Sequence, residues 1–249
     1  MEVKNYLLGY DNMYIMQDTD LFNFSLDSVL LPNFVTINPS MKKILDIGCG
    51  NAPIPLILST RTKAHITGVE IQEKSFLLAQ KSVALNHLEE QIDIVHGDIN
   101  DIYKNIESDT FDVITCNPPF FKTLSENHFN KKEEKTLARH EISLNLDQIF
   151  MIARKLLKNN GVIAIVHRPE RLLEIFDKMR KYNIEPKRVQ FIYPKVNKSS
   201  NILLIEGRKN GKSGLEILPP IYTHEENGEY TRIIKHYFKK GESYESEKL

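Results

Sequence analysis

The 249-residue sequence has only two cysteines, Cys49 and Cys116, far apart and without a C-x-x-C spacing. That scarcity argues against a disulfide framework or a zinc site and fits a reducing, cytoplasmic setting. Long apolar runs are missing as well. The longest, Ile149 to Ala153 and Val162 to Val166, fall far short of the ~20 residues that a membrane-spanning helix needs. The start, Met1-Glu2-Val3-Lys4-Asn5-Tyr6, lacks a basic segment followed by an apolar one, so neither a leader nor a membrane association is expected. There is no internal repeat and no low-complexity tract. His65, His87, His96, His128, His224 and His236 show no metal-ligand spacing, and no metal is expected. Net charge is also absent, with 33 basic residues balancing 33 acidic ones. The balance hides an asymmetry. Between Lys187 and Lys240, 11 Lys and Arg stand against 5 acids. Such a surplus suits a polyanion partner, or equally a solvated lysine-rich surface.

A hydrophobic content of 41% with 27% charged residues allows a sizeable core in one large α/β domain. Short apolar strands are expected at Ile44–Ile47, Ile66–Glu70, Ile92–His96, Phe111–Cys116, Val162–His167, Val189–Tyr193 and Ile202–Glu206. Helical patterns fall between them: Ile54–Thr60 with Pro55 in its first turn, Glu73–Leu88, Leu146–Lys158 stopping at Asn159-Asn160-Gly161, and Leu172–Tyr182. An earlier helix starts near Phe24 with Ser25 as its N-cap, and Pro32 should kink or end it. The alternation predicts an α/β fold, a seven-stranded, mostly parallel sheet with helices on both faces. Residues 1–41 read as an N-terminal hairpin or flap plus helix packed on the main domain. Residues 42–240 read as that domain with a basic C-terminal extension, and 241–249 as a disordered tail. A terminal helix over Tyr230–Lys240 would carry Arg232, Lys235 and Lys239. The polar stretch Lys122–Glu141 is a long loop.

In such sheets ligands bind beyond the carboxyl ends of the strands, near the switch in strand order. The suggestive residues all fall there. Gly48 and Gly50 follow the first strand, where glycine permits a tight turn and a close approach to a ligand. The third glycine of a dinucleotide fingerprint is missing, because Pro53 stands in its place. Glu70 ends the second strand and suits the hydroxyls of a ribose; Asp98, after the third, suits an adenine amino group. Each acid alone would more simply be a cap or a loop charge. Together they fit an adenosine without a diphosphate. The fourth strand runs into Asn117-Pro118-Pro119-Phe120, where two prolines hold Asn117 and Pro118 extended. That corner offers an amide, carbonyls and an aromatic ring, which can take an amino group and stack on a flat base.

The series Asp46-Ile47-Gly48-Cys49-Gly50, Glu70, Asp98 and Asn117-Pro118-Pro119-Phe120 resembles the motifs of Rossmann-like S-adenosylmethionine-dependent methyltransferases that act on exocyclic or amide nitrogens. Phe24 to Leu31, Ala138-Arg139-His140-Glu141, Val166-His167-Arg168-Pro169 and Gly214 to Pro220 further resemble the bacterial tRNA1(Val) adenine-N6 methyltransferase family, over roughly residues 5–240. Ala52-Pro53 and Pro32 depart from its pattern. The resemblance implies S-adenosyl-L-methionine as cofactor and tRNA as partner. It implies cofactor contacts at Phe24, Asp46, Gly48, Cys49, Gly50, Glu70, Ile71, Asp98, Ile99 and Asn117. Catalysis would rest on Asn117, Pro118, Pro119 and Phe120. His140 would face the substrate phosphates or order its loop. Glutamine methylation on a release factor, DNA adenine methylation, a non-catalytic RNA-binding module and an NAD-dependent oxidoreductase are the alternatives. The first usually carries a separate N-terminal helical domain, the second an added recognition domain, and the last needs the absent third glycine.

Overall fold

The structure, a computed structural model, describes residues 1–7, 10, 12–19, 25–118 and 144–238. At the N-terminus, β1 (Glu2–Tyr6) and β2 (Tyr14–Asp18) form an antiparallel hairpin. Next comes helix α1 (Asp27–Phe34). Five parallel strands follow, β3 (Lys43–Ile47), β4 (His65–Glu70), β5 (Ile92–His96), β6 (Phe111–Cys116) and β7 (Leu157–His167). Helices α2 (Pro53–Ser59), α3 (Glu73–Leu85), the single turn α4 (Ile99–Ile102) and α5 (Leu146–Leu156) lie between them. Helix α6 (Leu172–Lys181) leads to β8 (Ile184–Tyr193), and β9 (Ile202–Lys209) inserts antiparallel between β7 and β8. These seven strands are the expected ones. Two further two-residue strands, β10 (Glu216–Ile217) and β11 (Ile221–Tyr222), pair with the outer edge of β8 and bring the sheet to nine. Helix α7 (Arg232–Phe238) closes the described chain.

The central strands are apolar runs because both faces are covered. Ile44, Ile66, Val113, Val162 and Leu204 point to one face, under α1 and α2. Leu45, Ile114, Ile163 and Leu203 point to the other, which shares its apolar cluster with α5 residues Ile149, Phe150 and Ile152 and α6 residues Ile175 and Met179. No helix among the described residues is long and apolar enough to cross a membrane.

Three local expectations are corrected. Pro32 lies inside α1 without ending it, and the helix runs on to Phe34. A proline removes one N–H, but its own carbonyl still accepts, here from the Arg61 guanidinium. Ser25 does not cap that helix through the backbone; its hydroxyl lies 3.2 Å from Asp27 Oδ2. Asn159-Asn160-Gly161 does not stop α5. The helix ends at Leu156, and the triplet sits inside β7, where Asn160 takes φ 61° beside a register shift opposite Phe111–Val113. Leu156 and Leu157 are both fully buried, so the chain must turn from helix to strand between them. Gly161 then fits where a side chain would meet Lys158 O at 2.9 Å and Asp112 O at 3.2 Å.

Candidate active site

Strand β3 is flanked by β4 and β6, so the switch in strand order falls beside it. Ile47 pairs with Val69 on one side and Cys116 on the other. Gly48, Glu70 and Asn117 are therefore the next residues on three adjacent strands. Glu70 pairs with His96 of β5, just ahead of Gly97-Asp98. With ~4.8 Å between neighbouring strands, the row from Asp98 to Asn117 spans about 15 Å.

The turn after β3 is left-handed at Gly48 (φ 71°), Gly50 (φ 57°) and Ala52 (φ 73°). Glycine accepts that conformation at little cost, whereas Ala52 is strained by it. A Cβ added at Gly48 or Gly50 would meet nothing within 4 Å among the described residues, which leaves room there for a ligand. The Gly48 and Cys49 amides donate to Val69 O at 2.9 and 3.0 Å and fix the turn on β4. Glu70 completes it. Its Oε2 accepts from Gly50 N at 2.9 Å and its Oε1 from Gln72 N at 2.7 Å. Each carboxylate oxygen has two lone pairs, so both can accept once more. Cys49 is buried, with Sγ filling the space that a side chain at position 68 would need, and burial pushes its thiol pKa well up. It is packing, not a nucleophile.

Asp46 is fully buried. Thr115 Oγ1 donates to its Oδ1 at 2.6 Å, while Oδ2 has no hydrogen-bond partner among the described residues. Burial is the main cause that lifts its carboxyl pKa to about 7, and Glu70 adds to the effect. Asp98 caps α4, its Oδ1 accepting from Asn100 N at 2.8 Å, so the cap reading is realised there whatever else the acid does. Ile99 is buried in the core, which leaves only its backbone to a ligand. Ile71 is 40% exposed, and its carbonyl lies 3.2 Å from His96 Nε2. His96 stacks on Phe76 with 5.0 Å between centroids. This apolar wall beside Glu70 was not among the expected site residues. Its two rings come from β5 and α3, and no local spacing joins them.

At the corner, Asn117 is half-buried and Pro118 buried. Asn117 Nδ2 lies 3.3 Å from the Ser28 hydroxyl of α1 and donates to it. Ser28 thus orients the amide, a second contact that the expected residues lacked. Phe24, Pro119, Phe120 and the segment with Arg139, His140 and Glu141 lie outside the described residues. One strand over, His167 ends β7. It is buried, its Nδ1 accepts from Arg168 N at 2.8 Å, and burial first of all lowers its pKa to about 4. It is therefore a neutral imidazole at ordinary pH.

Part of the basic surplus is engaged inside the fold. Lys209 is buried, 2.6 Å from Asp109 and 2.7 Å from Leu157 O. Arg188 binds Phe34 O, Thr36 Oγ1 and Glu206 at 3.0, 2.9 and 3.3 Å, in the wall of a cavity of about 360 Å³ that also includes Asn160 and Arg208. That cavity opens at the opposite end of β7 from His167. Of the expected basic helix face, Lys235 pairs with Glu229 at 2.9 Å, and Lys239 lies outside the described residues.

The chain is similar to known proteins. The chain is 25% identical, over 94% of its length and 100% of the relative's, to a protein of Flavobacterium psychrophilum named tRNA1(Val) (adenine(37)-N6)-methyltransferase. A protein of the same name from Parabacteroides distasonis is 28% identical over 96% of this chain and 100% of its own. Among solved structures, a predicted O-methyltransferase from Agrobacterium tumefaciens superposes with a TM-score of 0.67 at 16% identity, covering 86% of this chain and 96% of its own. Geranyl diphosphate C-methyltransferase from Streptomyces coelicolor, solved with S-adenosyl-L-homocysteine, gives 0.56 at 9% identity, covering 74% and 80%. At those identities the structures speak for the fold alone. The family model described as methyltransferase small domain matches residues 25–185, a span that runs from Ser25 through the glycine turn and the Asn117 corner to the start of β8. The chain belongs to the methyltransferase small domain family.

Proposed function

We propose that the protein transfers a methyl group from S-adenosyl-L-methionine to N6 of an adenine in tRNA. The observation that carries this reading is the row Glu70–Gly48–Asn117 on three neighbouring strands, with the amide of Asn117 held by Ser28. The relatives' shared name supports adenine as the base and tRNA as the polymer.

The residues fit such a donor. The turn at Gly48 and Gly50 leaves open space for it, and Glu70 keeps lone pairs for a ribose. Oδ2 of Asp46 is buried and has no partner among the described residues, and a cationic donor would satisfy it. When bound, the donor supplies a methyl already activated on a sulfonium. The protein therefore needs neither a strong base nor a nucleophile of its own. Its task is to seat an aromatic amine whose lone pair is delocalised into the ring. With Nδ2 turned to Ser28, Asn117 Oδ1 is free to accept one N–H of that amine, and the Pro118 carbonyl accepts the other. Two acceptors draw the nitrogen toward tetrahedral geometry and stabilise the positive charge it gains, which ends when one N–H proton passes to water after transfer. Pro118 keeps the corner stiff, so little reorganisation is needed. An adenine in a single-stranded loop can leave its stack at small cost.

The test is incubation with labelled donor and total tRNA lacking the modification, followed by nucleoside mass spectrometry. N6-methyladenosine is the expected product; label on protein with none on RNA would move the acceptor to a glutamine side chain. In the same assay Asn117→Ala should lower turnover by about 10²–10³-fold, the usual loss of one preorganised polar contact, while donor affinity stays within twofold or so. Near-normal turnover in that variant would remove the amide from the mechanism.

A further inference from the structure

Beyond the acceptor corner, the same end of the sheet carries a row of aromatic side chains on its outer edge. Strand β11 continues as Thr223 and His224, and alternate residues divide between the two faces. Ile221 and Thr223 are buried, whereas Tyr222 and His224 are only partly so. Tyr222 pairs with Tyr193 of β8, their ring centroids 5.5 Å apart. His224 bridges to Tyr230, with centroids 4.7 Å apart, and Tyr230 is 40% exposed. Glu225 N to Glu229 O (2.8 Å) and Thr231 N to Thr223 O (3.0 Å) hold this small hairpin in shape. The result is two preformed ring pairs, Tyr193–Tyr222 and His224–Tyr230, whose strand residues Tyr222 and His224 fall on the same face.

The adjacent turn between β8 and β9 is basic. Lys198 is exposed and makes no ion pair or hydrogen bond from its ammonium among the described residues. Lys195 reaches only a carbonyl, Glu226 O at 3.3 Å. Arg168, at the end of β7, ties this turn to the strand beside the corner by donating to Asn201 O at 2.7 Å. The hairpin tip with Glu225, Glu226 and Glu229 lies against this turn, the Glu226 carbonyl accepting from Lys195, while the Glu229 carboxylate is taken by Lys235 at 2.9 Å.

We infer that this edge is a stacking platform for unpaired bases of the RNA substrate, with the Lys195–Lys198 turn taking the neighbouring phosphates. This rests on the tRNA reading above and adds to it where the substrate lies. Tyrosine and histidine rings accept any base face, and cations beside them track the backbone. Four strand spacings separate β6 from β11, about 19 Å. A folded RNA with a splayed loop bridges that distance, while a free nucleotide held at the corner cannot.

The experiment compares full-length wild-type protein with Tyr222→Leu, Tyr230→Leu and Tyr230→Phe on unmodified tRNA transcript, by anisotropy binding and by steady-state methyl transfer. Each leucine variant should weaken tRNA binding and raise the KM for tRNA about fivefold or more, the scale of one base–aromatic stack. The kcat and the affinity for donor should stay within about twofold, and Tyr230→Phe should behave as wild type. Tyr230→Leu lies at an exposed position and tests the idea even if Tyr222→Leu unfolds. Wild-type binding that no ring substitution alters would overturn the platform and leave the tRNA reading intact. Failure of the wild type itself to bind tRNA would overturn both.

Discussion

Asp46 shows how a single residue can carry strain in the free protein. Its unfolded carboxyl titrates near 3.8, but in the fold burial moves that to about 7. Between those values the folded state keeps a proton that the unfolded state has released. Stability contributed by this residue is therefore complete below pH ~4, falls as pH rises to ~7, and is level beyond. Asp46→Asn removes the dependence. Across that window the stability of the variant relative to wild type should rise by about 1.4 kcal/mol per pH unit, read from urea unfolding at several pH values; a constant difference would mean that Asp46 is ionised throughout. Asp46 is legible as a candidate because it lies within a local motif, as are Gly48, Gly50, Glu70 and Asn117. Ser28 was not, since 89 residues separate it from Asn117. The Phe76–His96 wall was hidden for the same reason. Asp98 and Ile99 were legible in position but not in orientation, because cap and core claims on them appear only when α4 is built.

Among the elements, strands were easier to read than ends of helices. An apolar run between polar turns has few other ways to fold once both its faces are covered. A helix end depends on what its last residues meet. Helix α3 looked as though it reached Leu88, yet it stops at Leu85 because Asn86 turns to the hairpin. Its Oδ1 accepts from Tyr14 N at 2.8 Å and its Nδ2 donates to Tyr14 O at 2.7 Å. Ser82 takes Met16 N at 2.9 Å, and Asn51, in the glycine turn, donates to Met16 O at 2.7 Å. Side chains thus satisfy the outer edge of β2 as another strand would. Asn86→Ala leaves both polar groups of Tyr14 without these partners. It should cost about 1–3 kcal/mol in urea, with an unchanged m-value, and should weaken donor affinity too, since the hairpin is latched to the turn proposed to receive the donor. Unaltered stability would mean that water replaces the amide without penalty. A helix start was legible in principle at Asn145. There the Asn145 side chain takes Gln148 N at 3.0 Å, and Gln148 returns the bond to Asn145 N at 2.8 Å. This is a capping box with glutamine as its second member.

Over the whole molecule, a count of basic residues overstates the charge that RNA can meet. The eleven cations between Lys187 and Lys240 looked like one surface, but the fold sorts them. Lys209 points inward, between Asp109 and Leu157 O, and Arg188 is held by Glu206 and the end of α1. Lys198 remains outside on the turn beside the aromatic edge. Binding to a polyanion releases counterions in proportion to the phosphates neutralised, and the slope of log affinity against log salt counts them, at about 0.7–0.9 per contact. Lys198→Gln should flatten the slope for tRNA by roughly one contact while leaving stability within about 0.5 kcal/mol. Lys209→Gln should do the reverse: the slope is kept, and unfolding becomes easier by about 1–3 kcal/mol, because a buried carbonyl and a carboxylate lose their cation. Equal effects of the two substitutions on the slope would mean that the RNA reads total charge rather than the face on which the fold displays it.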